Sequence, residues 1–247
     1  MKRAIVKVLG ASLFSSEPPL TPAVTEPFNR RRRQADIAPL AVHAPYVMNL
    51  ASPDPGVFHR SVALLQEEYG RAACLEADYV VIHLGSHKGE GEAAGIGRVA
   101  SALNQTLDEA GCPVMILLEN TAGAGETVGS RFESLAAIRQ AVTAKERVGY
   151  CLDTAHLFAA GFPIHTAEGL AETLGRFDRI VGLEHLKLVH LNDSKAPFDS
   201  RLDRHWHIGE GHIGLEGMRR LVTHPRLAQV PFILETPKQH EREDRRN

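Results

Sequence analysis

Six apolar runs in this chain each end on a residue that can ligate a metal. Leu40-Ala-Val leads into His43, Tyr79-Val-Val-Ile into His83, Val114-Met-Ile-Leu-Leu into Glu119, and Gly149-Tyr-Cys-Leu into Asp153. Leu186-Lys-Leu-Val leads into His190 and Pro231-Phe-Ile-Leu into Glu235. The positions recur about every 35 to 45 residues, the length of a strand, loop, helix and return loop in a repeating βα fold. In a parallel barrel the carboxyl ends of the strands converge on one face, so residues at successive strand ends share a centre. Imidazoles and carboxylates without cysteine suit zinc, manganese or iron as hydrolytic metals. The pattern reads as a polynuclear metal site at the mouth of a barrel.

Two further segments add donors. After His190 the chain runs Leu-Asn-Asp-Ser-Lys195 and returns Asp203 and His205, spaced so that both could bind one metal while Arg204 points elsewhere. In Cys151-Leu-Asp-Thr-Ala-His156, Asp153 closes a strand and His156 enters the next helix, where Thr154 is placed to cap. A carboxylate has two oxygens and can bridge two metals, which marks Glu119 or Glu235 as the bridge. The Gly-rich loops near Gly85, Gly123 to Gly129 and Gly209 to Gly214 lack the Lys-Ser/Thr of a nucleotide cradle.

The elements that must position these residues follow from the pattern. Strand-like runs are Ala4 to Leu9 and those ending at His43, His83, Glu119, Asp153, His190 and Glu235. Helical periodicity covers Val57 to Ala73, Arg98 to Ala110, Arg131 to Val142 and Ala167 to Phe177. The Pro-rich stretch from Glu17 to Pro27 reads as an extended loop before a short basic helix, whose Arg30 to Arg33 could face phosphate but read better as a solvated face. Seven strands are one fewer than a closed barrel needs. The expectation is one α/β domain over residues 1–247, a TIM-type (β/α) barrel lacking its first βα unit and most of its last helix.

Bulk composition narrows the class. A 247-residue chain that is 43% hydrophobic suits a single soluble globular domain, and it holds no apolar run of the roughly 18 residues a membrane helix needs. Cys74, Cys112 and Cys151 are an odd number and read as reduced thiols, so the cytoplasm is the expected location. A net charge of -2 does not advertise a nucleic-acid binder, yet bound divalent metals would supply local positive charge.

The ordered motifs resemble the endonuclease IV family of zinc-dependent abasic-site nucleases. The resemblance rests on His43-Ala-Pro-Tyr-Val-Met-Asn-Leu-Ala-Ser-Pro-Asp54, His83-Leu-Gly-Ser-His87, Leu118-Glu-Asn-Thr-Ala-Gly123 and Cys151 to His156 with Ala159-Ala-Gly161. It continues in His190 to Lys195, Asp203-Arg-His205 with Ile208-Gly-Glu-Gly211, and Ile233-Leu-Glu-Thr-Pro237, spanning Pro39 to Pro237. The resemblance implies about three zinc ions per chain. His43, His83 and Glu119 would hold one; Glu119, Asp153, His190 and Glu235 a second, with Glu119 bridging; His156, Asp203 and His205 the third. Glu119 and Glu235 carry the catalytic assignment. It also implies insertion of Tyr46 and Val47 into double-stranded DNA beside an abasic site. The implied reaction is hydrolysis of the phosphodiester 5′ to that site, leaving a 3′-hydroxyl and a 5′-deoxyribose phosphate. Neither a membrane nor an obligate protein partner is expected.

Other residues read as bland. His87, His207 and His212 suit outer contacts or plain loop roles, Trp206 packing, and His59, His165, His185, His224 and His240 structural or solvated positions. The family also begins with a strand carrying Gly-x-His, for which this chain has no counterpart, and Ala4 to Leu9 aligns with the family's second strand. Ala11-Ser-Leu-Phe-Ser-Ser16 replaces the family's Asn-x-Arg-x-Trp, and the tail Lys238 to Asn247 is too short for a closing helix. A misassigned start codon would account for this. Two rival readings share the donor types: a metal-dependent sugar isomerase or epimerase on the same barrel, and a truncated binder of damaged DNA that does not cut.

Overall fold

Parallel strands alternating with helices build both halves of the molecule. The computed structural model describes residues 4–9, 20–108 and 112–237. The replaced segment Ala11 to Ser16, His240 and the tail from Lys238 therefore lie outside the described residues. The chain divides into two compact units: Met1–Leu118 with Ala137–Gly149, and Glu119–Ala136 with Tyr150–Asn247.

In the first unit, β1 (Ala4–Leu9), α1 (Pro22–Gln34), β2 (Ile37–His43), α2 (Pro55–Cys74), β3 (Tyr79–Ile82), α3 (Glu92–Leu107) and β4 (Met115–Glu119) follow in chain order. The strands pair in parallel in the order β1-β2-β3-β4, and the last residue of β4 begins the second unit. Leu40, Ala41, Val42, Val80, Val81, Ile82, Ile116, Leu117 and Leu118 are all buried. Such strands are covered on both faces, so they read as continuous apolar runs and not as alternation. Asp54 starts α2 by accepting the Val57 amide at 2.7 Å, with Pro55 in the first turn, where its missing N–H costs nothing. The helix buries Val62, Leu65, Tyr69 and Ala72 along one stripe. The Tyr69 hydroxyl donates to the Val114 carbonyl at 2.8 Å and accepts from Arg147, tying helix to strand.

Two boundaries differ from the sequence reading. The Pro-rich stretch is helical from Pro22, because Thr21 is extended and Pro22 occupies the first turn; Pro27 then sits inside the helix. The helix α3 begins six residues before Arg98, after Gly91 at φ +92°. Glu92-Ala-Ala-Gly-Ile-Gly has too few apolar residues to show the period.

The second unit contains α4 (Phe132–Ala141), which passes back into the first, then β5 (Val148–Asp153), α5 (Thr154–Ala159), α6 (Ala167–Ile180) and β6 (Leu186–His190). A short antiparallel ribbon of β7 (Asp193–Ser194) and β8 (His205–Trp206) follows, then α7 (Gly214–Thr223) and β9 (Phe232–Ile233). The parallel order is β5-β6-β9, with Asp153 level with His190. Its core centres on Phe132, stacked on Phe162 with centroids 4.7 Å apart and met edge-on by Phe177 at 5.1 Å. Neither α7 nor the ribbon was read from sequence, since both are embedded in Gly-rich or polar loop. Among the described residues no helix is long and apolar enough to cross a membrane.

Candidate metal centre

The two donors of the first unit lie together. His43 ends β2 and is buried; His83 follows β3 by one residue, and the two ring centroids are 5.1 Å apart. The Nδ1 of His43 lies 2.8 Å from the Ala44 carbonyl, a contact only an N–H can make. Its Nε2 therefore carries the lone pair. Tyr46 meets the edge of His83 at 5.2 Å but is 75% exposed, and the neighbouring Val47 is 54% exposed.

Seven expected donors fall in the second unit, in two groups. Glu119, Asp153, His190 and Glu235 bring one donor atom each within 4.8 Å of one another. The Nδ1 of His190 is 2.8 Å from Glu119 Oε1 and 3.2 Å from Glu235 Oε2. Glu235 lies two residues past β9, so its carboxylate is carried by a loop and not by a strand end as expected. Its amide donates to Asn192 Oδ1 at 2.8 Å, which fixes that loop. The Cys151 thiol also comes within 4.8 Å of donors on Glu119 and His190, a sulfur neighbour that the reading of a cysteine-free site missed.

His156, Asp203 and His205 form the other group. The two Nε2 atoms are 3.4 Å apart; Asp203 Oδ2 is 3.2 Å from His156 Nε2 and Oδ1 is 3.3 Å from His205 Nε2. Zinc bound tetrahedrally to nitrogen and oxygen at about 2.0–2.1 Å separates its ligands by about 3.3–3.4 Å. The donor set thus has the spacing of three corners of a zinc tetrahedron. His156 Nδ1 donates to the Asn120 carbonyl at 2.9 Å, aiming Nε2 at Asp203. His205 Nδ1 lies 3.3 Å from the Glu235 carbonyl in the same way.

The field at this spot is strongly negative. Burial alone would pull the His156 pKa down. The charge of Asp153, the hydrogen bond to Asp203 and the charges of Glu119 and Asp203 outweigh burial and push it up to about 10. Clustered carboxylates with little solvent favour a cation among them, and a divalent ion answers that field without a proton. The donors present suit a divalent metal in type, and the His156, Asp203 and His205 set fits zinc in spacing as well.

Three residues that hold the donors escaped the sequence reading. Asn120 Oδ1 accepts the Asp153 amide at 2.7 Å, and Asn192 Nδ2 donates to Asp153 Oδ2 at 2.6 Å. Asp153, and not Thr154, caps α5 by accepting the His156 amide at 2.7 Å; Thr154 instead donates to the Asn192 carbonyl at 2.7 Å. Buried Asp193 accepts the amides of Ser194, Gly209, Gly211 and Ile213 at 2.8–3.0 Å. A Cβ at Gly211 would sit 2.4 Å from that carboxylate, so only glycine permits the turn. A polar run after a strand end was the available signal.

Among the described residues the other histidines belong to none of these donor groups. His87 Nδ1 accepts the Gly91 amide at 3.2 Å, His224 Nδ1 that of Arg226 at 3.2 Å, and His59 and His165 pack on Phe58 and Phe158. His185 pairs with Glu184 at 3.5 Å, His207 is buried against Trp206, and neither it nor His212 belongs to a donor group among the described residues.

Known proteins resemble this chain in sequence and fold. The family model described as "Xylose isomerase-like TIM barrel" covers residues 4–246. The chain is 45% identical over 231 residues to "Probable endonuclease 4" of Chloroflexus aurantiacus, covering 93% of this chain and 81% of that one. Its identity to the like-named protein of Methanoculleus marisnigri is 42% over 257 residues, covering 99% and 91%. Crystalline endonuclease IV from Thermus thermophilus superposes with a TM-score of 0.83 at 37% identity, over 97% of this chain and 85% of that one. A D-tagatose 3-epimerase-like protein superposes at 0.71 with 21% identity, covering 95% and 82%, a likeness of fold alone. With its TIM-type fold and this identity over nearly its whole length, the chain belongs to the endonuclease IV family.

Proposed function

We propose that this protein is a cytoplasmic DNA-repair endonuclease that hydrolyses the phosphodiester 5′ to an abasic site in duplex DNA, using three zinc ions. The observation that carries the reading is the His156–Asp203–His205 triangle, with edges of 3.2–3.4 Å. A barrel enzyme acting on a free sugar needs no third donor set beside Glu119, Asp153, His190 and Glu235.

In this reading His43, His83 and Glu119 hold one zinc. Glu119, Asp153, His190 and Glu235 hold a second, and His156, Asp203 and His205 the third. Bound zinc supplies Lewis acidity and a water ionised near neutral pH, which suits attack on a phosphate. The chain itself supplies position. Asn120 pairs with the Asp153 backbone, while Asn192 Nδ2 and the His156 amide each hold one carboxylate oxygen, so the carboxylate cannot turn away from the site. The hydrogen bonds at His43 and His156 fix which ring nitrogen each offers. Exposed Tyr46 and Val47 are free to enter a duplex, and an abasic nucleotide, lacking a base to unstack, is cheap to displace.

The test is cleavage of a duplex carrying one tetrahydrofuran abasic analogue, with and without chelator. Chelator-sensitive incision 5′ to the analogue is expected, with a 3′-hydroxyl on the upstream product. Binding without incision after zinc loading would favour a non-cutting damage binder, and isomerisation of ketoses by the loaded protein would favour the sugar enzyme.

A further inference from the structure

The donor-bearing ribbon has a second face that the site does not use. In β8 successive side chains point to opposite faces, so Trp206 projects away from the side that carries His205. The Lys195 amide donates to the Arg204 carbonyl at 2.9 Å, extending the ladder by one pair and placing Lys195 across from Arg204. Its ammonium lies 4.0 Å from the centroid of the Trp206 ring. The ring is half-buried, set edge-on to His207 at 5.4 Å, whereas Lys195 is exposed. Nearby Arg201 is already paired with Asp199 at 3.0 Å. Among the described residues no carboxylate lies within ion-pair distance of the Lys195 ammonium.

A surface lysine usually samples many rotamers, and ordering it opposes binding. An indole face attracts the ammonium and restricts it to one place without neutralising it. The outer hydrogens then remain available to an anion. The ribbon carrying this fixed cation is anchored by the buried Asp193 carboxylate and by amide bonds from Asp199 to Phe158 and from Arg201 to Ala159. It is therefore a rigid positive point a few residues from a phosphodiester-cutting site.

We infer that Lys195 is a phosphate contact for the nucleic-acid backbone and that Trp206 is its positioning residue. The inference rests on the nuclease reading above. The contact is to phosphate oxygens, so it adds affinity for damaged and intact duplex alike and carries no lesion preference.

The experiment is affinity of the zinc-loaded protein for an intact duplex and for its tetrahydrofuran-containing counterpart across a salt series, with metal content measured in parallel. Lys195→Met is expected to reduce the salt slope by about one phosphate contact and to weaken both duplexes equally, about three- to tenfold. Zinc content should be unchanged. Trp206→Leu should reproduce part of that loss, and Trp206→Phe, which keeps an aromatic face, should restore it. An unaltered slope and affinity in Lys195→Met would overturn the assignment while leaving the nuclease reading intact. Trp206→Phe as weak as Trp206→Leu would overturn the positioning role. Wild-type protein with no salt-dependent affinity for either duplex would overturn the nuclease reading and the contact with it.

Discussion

The Nε2 atoms of His156 and His205 face each other at 3.4 Å, with an oxygen of Asp203 within 3.3 Å of each. Two imidazoles so placed share one lone-pair focus, which suits a single ion. Metal analysis of zinc-reconstituted protein should give close to three equivalents, and His205→Asn should lower the count to about two. One equivalent or fewer in the parent protein would end the trinuclear reading.

Glu119→Gln should be the most damaging conservative change at the site. The carboxylate is fully buried, touches His190 at 2.8 Å and is assigned to two metals at once. An amide keeps the shape but not the charge, so incision should fall by at least about 100-fold. Cleavage at the parental rate would show that the bridge lies elsewhere.

Tyr46→Ala removes a ring that is 75% exposed, so it should leave melting temperature and metal content as they are. Affinity for the abasic duplex should drop about tenfold, on the scale of one lost base–aromatic stack. Undiminished preference for damaged over intact duplex would take Tyr46 out of the interface.

Acid and metal should act oppositely on this protein. Without metal, the His156 proton is bound more tightly folded than unfolded, with a folded pKa of about 10 against 6.5. That stabilisation is complete below about pH 6.5 and is lost as pH rises through about 10. Chelated protein should therefore become less stable to urea from pH 7 to pH 10. Zinc competes with the same proton, so the loaded protein should instead release metal and lose stability as the solution is acidified. Parallel pH trends for the two forms would contradict the assignment of His156.

The strand ends were legible because β-strands buried on both faces leave uninterrupted apolar runs, and a polar residue after such a run stands out. That logic reached His43, Glu119, Asp153 and His190 to the residue, and misplaced His83 and Glu235 by one and two positions beyond their strands. Asn120, Asn192 and Asp193 showed only as polar residues after a strand end, since an amide or carboxylate that grips backbone looks in sequence like any loop residue. The α3 start was lost because alanine and glycine carry little periodic signal, and the α1 start because proline reads as loop although it fits a first turn.

Asp153 is at once the last residue of a strand, the cap of a helix and a member of a group that could hold a metal, so no connecting loop separates β5 from α5. Its bond to the His156 amide sets the three-residue spacing between two donors by the geometry of a helical first turn. Chain length is therefore quantised there: one added residue between 153 and 156 would rotate the imidazole by about 100° around the helix. The exposed stretch at Ala124, Gly125 and Glu126 has no such constraint. An insertion scan scored by zinc retention should find no tolerance at the first place and ready tolerance at the second, because only the first spacing is set by the turn that Asp153 caps.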